Sequence, residues 1–81
     1  SESDQEVTVQ GLARTQMEYI KGYPYDPFAI TYPAVETTDN YSITIAVTSV
    51  PGTDENIQKV TATISRDAEA LLFIEDYKVK R

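Results

Sequence analysis

Two periods divide this chain, and together they limit what it can fold into. Up to Gly22 the apolar residues Val9, Leu12, Ala13, Met17 and Ile20 recur at helical spacing. That spacing gathers them on one stripe of a helix. From Tyr41 onward the period is two: Tyr41, Ile43, Ile45 and Val47 alternate with Ser42, Thr44, Ala46 and Thr48. This is the pattern of a strand with one face buried and one face wet. A helix with one apolar stripe and a sheet with one apolar face cover each other. The expected fold is therefore α+β, one N-terminal amphipathic helix packed on a small antiparallel sheet of three to four strands. A chain of 81 residues makes this a single domain, 1–81, with helix about 6–22, loop 23–40 and sheet 41–80.

Local signals set the expected bounds of the helix. Arg14–Glu18 and Glu18–Lys21 lie off the stripe at the spacing of exposed ion pairs. Gly22 is placed to supply a left-handed residue at the helix end, and Pro24 forbids continuation. At the other end, residues 1–6 are polar and acidic and read as a loose terminus, although Ser3 and Glu6 have capping-box spacing. Val7, Thr8, Val9 and Gly11 are poor helix formers, a beginning better suited to a helix that continues from upstream.

The loop 23–40 holds Pro24, Pro27 and Pro33. A structureless loop of that length is uncommon in a small domain, so part of it is expected against the sheet, with Phe28 to Tyr32 as a short edge strand. Tyr19, Tyr23, Tyr25 and Tyr32 cluster here. They read either as rings that pin the loop to the helix end with their hydroxyls in water, or as a contact surface for a partner. In the second reading the contact residues are Tyr23, Tyr25 and Tyr32.

The sheet is expected as strands over 41–50, 57–66 and 70–80. Val50-Pro51-Gly52-Thr53 fits a type II turn. Residues 67–69 carry no strong primed-turn signal, so the last register stays open. Val60, Ala62 and Ile64 form the inward set of the second strand. In the third, Leu71, Phe73, Tyr77 and Val79 share one face and Leu72 and Ile74 the other. Lys78, Lys80 and Arg81 would then guard an open edge. The helix residues Leu12, Met17 and Ile20 are expected to pack on Ile43, Ile45, Ile64 and Phe73.

Charge and composition narrow the function. Seven Lys and Arg against 13 Asp and Glu give a net charge of −6, which disfavours nonspecific binding to nucleic acid or anionic membranes. There is no Cys and no His, so thiol chemistry and the commonest general base and metal ligand are missing. Glu75 and Asp76 are neighbours on a strand and point to opposite faces. Asp54, Glu55 and Asn56 form the one conceivable Ca²⁺ loop, without EF-hand spacing. The expectation is no catalytic residue, no cofactor and no metal. No apolar run approaches the ~20 residues that span a bilayer.

The stretch Leu12-Ala13-Arg14-Thr15-Gln16-Met17-Glu18-Tyr19-Ile20-Lys21, the following YPYDP segment and the β-rich tail ending in EDYKVKR resemble the soluble part of type IV pilin-like proteins. The nearest pattern is that of the minor pseudopilins of type II secretion and related minor pilins. There the sequence L-A-x-x-Q-[ML]-E lies near the end of a long N-terminal helix. The resemblance implies a structural subunit, not an enzyme, whose cleavage site and hydrophobic half-helix would lie before Ser1. It implies other pilin or pseudopilin subunits as partners. Contact with the membrane would run only through the absent half-helix. The location implied is extracytoplasmic, at the cell envelope or surface. Without that anchor the chain is expected to be a monomer.

Overall fold

The computed structural model describes residues 2–53 and 55–81. Their order is one helix and then three strands: α1 (Glu2–Gly22), β1 (Tyr41–Ser49), β2 (Ile57–Arg66) and β3 (Glu69–Val79). The strands form one antiparallel sheet in the order β1-β2-β3, so the α+β arrangement is as the two periods require. No described helix is long and apolar enough to cross a membrane.

The helix begins earlier than its formers suggest. Residues 2–6 are helical, so Ser3 lies inside α1 rather than capping it. Its C-terminus also differs. Gly22 does not adopt a positive φ. Instead Tyr23 N–H closes a tight turn onto Ile20 C=O at 3.1 Å, and Pro24 ends the helix. Lys78 of β3 also donates to this end of the helix. Lys21 pairs across the fold with Asp76 at 2.6 Å, instead of with Glu18 along the helix.

Register explains which side chains are inside. Ile43 faces Ile64, Ile45 faces Ala62 and Val47 faces Val60 on the first ladder. On the second, Ile64 faces Leu72 and Ala62 faces Ile74. The apolar face of the sheet is thus Ile43, Ile45, Val60, Ala62, Ile64, Leu72 and Ile74. Helix α1 runs over β2 and β3 and presents Val9, Ala13, Met17 and Ile20, all buried. Two linked clusters result. Met17, Ile20, Tyr32, Ile45, Val60 and Ala62 lie toward the helix C-terminus, and Val9, Ala13 and Ile64 toward its start.

The expected partner Phe73 is not among them. It lies on the opposite face of the sheet, 68% exposed, with Tyr77 and Val79 beside it. The reason is the last hairpin. Asp67 and Ala68 both have positive φ, 51° and 66°, which makes a two-residue primed turn pairing Arg66 with Glu69. A register shift next to it, with Ile64 opposite Leu72 but Ser65 opposite Ala70, leaves Leu71 as a bulge. The bulge turns Leu71 toward the Val9–Ala13–Ile64 cluster. Leu72 and Ile74 therefore take the inward positions, and Phe73 turns outward.

The remaining apolar surface, over β1, is covered by the loop. Phe28 to Tyr32 forms no strand, although Val47 N–H donates to Ile30 C=O at 3.0 Å and the Thr31 hydroxyl donates to Ile45 C=O at 2.9 Å. Ala29 and Tyr32 pack inward against the Ile45 cluster. The 50–53 turn is as expected: Gly52 has φ 79° and Thr53 N–H reaches Val50 C=O at 3.2 Å.

Candidate functional site

Charged and polar side chains collect where the C-terminus of α1, the loop and the last turn of β3 meet. Lys78 is buried there, so it does not guard the strand edge. Its ammonium donates to Ile20 C=O at 2.6 Å, to Tyr23 C=O at 2.5 Å and, at 3.4 Å, to Lys21 C=O. Lys21 C=O is a carbonyl the helix end leaves over, Ile20 C=O is shared with Tyr23 N–H, and a cation is the group the helix dipole favours there. The same ammonium stands 5.4 Å from the Tyr32 ring centroid. Burial pulls the Lys78 pKa below the ordinary lysine value, with the Arg81 charge as the smaller cause. The three carbonyls are the compensation that makes burying this cation tolerable.

Tyr32 is the centre of the next layer. Its ring is 4% exposed, so it belongs to the core and is not part of an exposed contact surface. Its hydroxyl is not in water either. It donates to Gln58 Oε1 at 2.7 Å, while Gln58 Nε2 donates to Asp26 C=O at 2.6 Å and Asp26 N–H donates back to the Tyr32 oxygen at 3.2 Å. Tyr23 meets Tyr32 edge-on at 5.8 Å, and Tyr19 meets Tyr23 at 5.7 Å. Tyr25 is half-buried and donates to Glu55 C=O at 2.7 Å. The rings do pin the loop to the helix end. Of the three proposed contact residues, Tyr23 keeps an exposed flank, Tyr25 is tied to the 55 loop and Tyr32 is inside.

A second anchor lies midway along α1. Gln16 is fully buried in the apolar stripe. Its amide donates to Pro33 C=O at 3.0 Å and accepts from Val35 N–H at 2.8 Å, so it mimics a strand partner for the loop. The signal was present in the sequence: Gln16 sits three residues after Ala13 and four before Ile20, on the stripe itself. At the helix start, Arg66 lies over the Tyr41 ring at 4.7 Å and donates to Asp39 C=O at 3.1 Å.

These networks consume their own polar groups. No described buried side-chain nitrogen or oxygen lacks a hydrogen-bond partner. Among the described residues no three acidic, His or Cys side chains converge as metal ligands. The Ca²⁺ loop considered from sequence includes Asp54, which lies outside the described residues. Glu75 and Asp76 diverge, to Lys59 at 3.4 Å and to Lys21 at 2.6 Å. The Lys21 hydrogen bond, then the Tyr77 N–H, hold Asp76 below the ordinary carboxylate pKa.

What the molecule offers outward is surface. Phe28 and Ile30 are 84% and 81% exposed on the loop, although nothing in the sequence pattern distinguishes them from core residues. Phe73, Tyr77 and Val79 line the uncovered face of β3. An open groove runs between α1 and β3, floored by Ala13, Met17, Leu72 and Ile74 and flanked by Arg14 and Glu18. Comparison with protein-family models, curated proteins and solved structures yields no match.

Proposed function

We propose that this chain is the head domain of a minor pilin or pseudopilin, a structural subunit of a type IV pilus or type II secretion-like filament. The observation that supports this most is where the LARTQMEYIK residues sit. Ala13, Gln16, Met17 and Ile20 are the buried contacts of α1 with the sheet and loop, and Arg14, Thr15 and Glu18 face water. The stretch that carries the resemblance is thus the stretch that welds helix to sheet. In this reading the chain is not an enzyme. A hydrophobic helix ahead of α1 anchors it in the membrane, its partners are neighbouring subunits, nucleic acid is not one of them, and the head sits outside the cytoplasm at the cell envelope. The test has two parts. The coding sequence ahead of Ser1 should hold an apolar segment of about 20 residues. The mature protein should also co-purify with sheared filaments or with an assembled secretion complex. Lack of the apolar segment, or a protein found only free, overturns the reading.

A second reading, an extracellular binding module using the 23–32 loop, is favoured by the exposure of Phe28 and Ile30. There a Phe28→Ala, Ile30→Ala double variant keeps the fold and loses binding to a protein or glycan ligand. Unchanged binding removes this reading.

A further inference from the structure

The two edges of the sheet are treated differently. An edge strand presents a row of unpaired backbone groups, which is a template for another strand. On β1 the chain's own loop occupies part of that row. Ile30, Thr31, Thr37 and Thr38 bond the outward backbone groups of Val47, Ile45 and Tyr41. On β3, Lys80 N–H points back to Asn56 C=O at 2.9 Å. By alternation along the ladder, the backbone groups of Phe73, Glu75, Tyr77 and Val79 point away from β2. Among the described residues, Tyr77 N–H is held by the Asp76 carboxylate at 2.8 Å, and the rest of that row has no backbone partner. Phe73, Tyr77 and Val79 also place exposed apolar side chains beside this edge. Of the three residues expected to guard it, Lys78 is turned inward to the helix end, while Lys80 and Arg81 stay exposed at the end of the strand.

We propose that β3 pairs antiparallel with β3 of a second copy of this chain, about a two-fold axis at Glu75, joining two three-stranded sheets into one of six strands. The pairing is self-complementary. With Glu75 opposite the partner's Glu75, Phe73 stands opposite the partner's Tyr77, and the symmetry repeats this aromatic pair. Phe73, Glu75 and Tyr77 of each copy have backbone groups facing the edge, so N–H and C=O meet across it. Tyr77 N–H exchanges the Asp76 carboxylate for the partner's Phe73 carbonyl. Lys80 and Arg81 approach the Glu69 end of the partner's strand, so the basic tail of each copy meets acid. The like-charge contact at Glu75 is moderated because each carboxylate already pairs with its own Lys59. The loop already bonds the β1 edge at Tyr41, Ile45 and Val47, which disfavours a third copy there, so the assembly is expected to close at two. This departs from the expected monomer and is independent of the filament reading.

The interface is at the small end for protein association, so the dissociation constant is expected on the order of 10–100 μM. Sedimentation equilibrium from about 1 μM to 1 mM should show a monomer–dimer equilibrium. The chain has no cysteine, which makes a crosslinking test clean. Glu75→Cys lies at a hydrogen-bonded pair, about 5.5 Å between Cα atoms, within reach of a disulfide. Oxidation should give a covalent dimer, whereas Glu36→Cys on the exposed loop should not. Glu75→Pro removes an outward N–H and one half-exposed ion pair with Lys59, leaves the bonds to β2 in place, and should abolish dimerisation. Phe73→Lys should weaken it at least tenfold in a chain whose circular dichroism is native. A monomer at 1 mM overturns the proposal. So does a dimer indifferent to both substitutions, or crosslinking at position 36 equal to that at 75.

Discussion

Lys78 and Gln16 show how much of this fold depends on single polar side chains. Lys78→Met keeps the apolar stem but removes the three bonds its ammonium donates around the helix end. It should cost about 2–3 kcal/mol, since bonds to a charged donor are lost and buried carbonyls stay behind. Urea unfolding with an unchanged m-value would check this. Gln16→Ala strands Pro33 C=O and Val35 N–H and should cost about 2–4 kcal/mol. Hydrogen exchange at Val35 should quicken more than the loss of global stability accounts for. Asp76 is different because the pair with Lys21 is nearly half exposed. Asp76→Asn should cost less than about 1 kcal/mol at neutral pH. The sign follows from its lowered pKa. The unfolded chain binds the proton more readily, so the contribution is present above the ordinary Asp pKa and is lost as pH falls through the lower folded value. The gap between wild type and Asp76→Asn should therefore shrink below about pH 4.

Among the elements, the turn at Asp67–Ala68 decides more than its size suggests. Both residues hold positive φ without a glycine. Ala68→Gly should stabilise the protein by about 1 kcal/mol by relieving the left-handed alanine, seen as a higher melting temperature. The existence of α1 and of the three strands was legible from period alone, and so were the inward sets of β1 and β2. The inward set of β3 was not. Counting by two across 71–79 puts Leu71 with Phe73, but an unsignalled bulge at Leu71 breaks the count, and LLFI is apolar on both parities. Phe73→Ala should accordingly cost under about 1 kcal/mol in dilute solution, against about 2–4 kcal/mol for Ile64→Ala. The buried amides were readable in principle. Gln16 lies on the apolar stripe, and Gln58 shares parity with Val60, Ala62 and Ile64. What period cannot show is which loop atoms they would meet, because those contacts join residues 17 to 32 positions apart.

For the molecule as a whole, the helix covers only part of the sheet and the loop covers the rest, so one lost contact is felt on both sides. Ile20 is fully buried between them. Ile20→Ala should remove about 2–5 kcal/mol, a large share of the 5–15 kcal/mol typical of a domain, and chemical denaturation should show the loop and sheet failing together. The Lys78 cap also imposes an order of events. It joins residues 58 positions apart. At ribosomal speeds of about 5–20 residues per second, the last turn of α1 waits roughly 3–12 s after synthesis for the amine that finishes it. A nascent chain arrested just before residue 78 would lack the end of β3 together with this amine, so the last strand and the end of the helix are completed at the same step of synthesis.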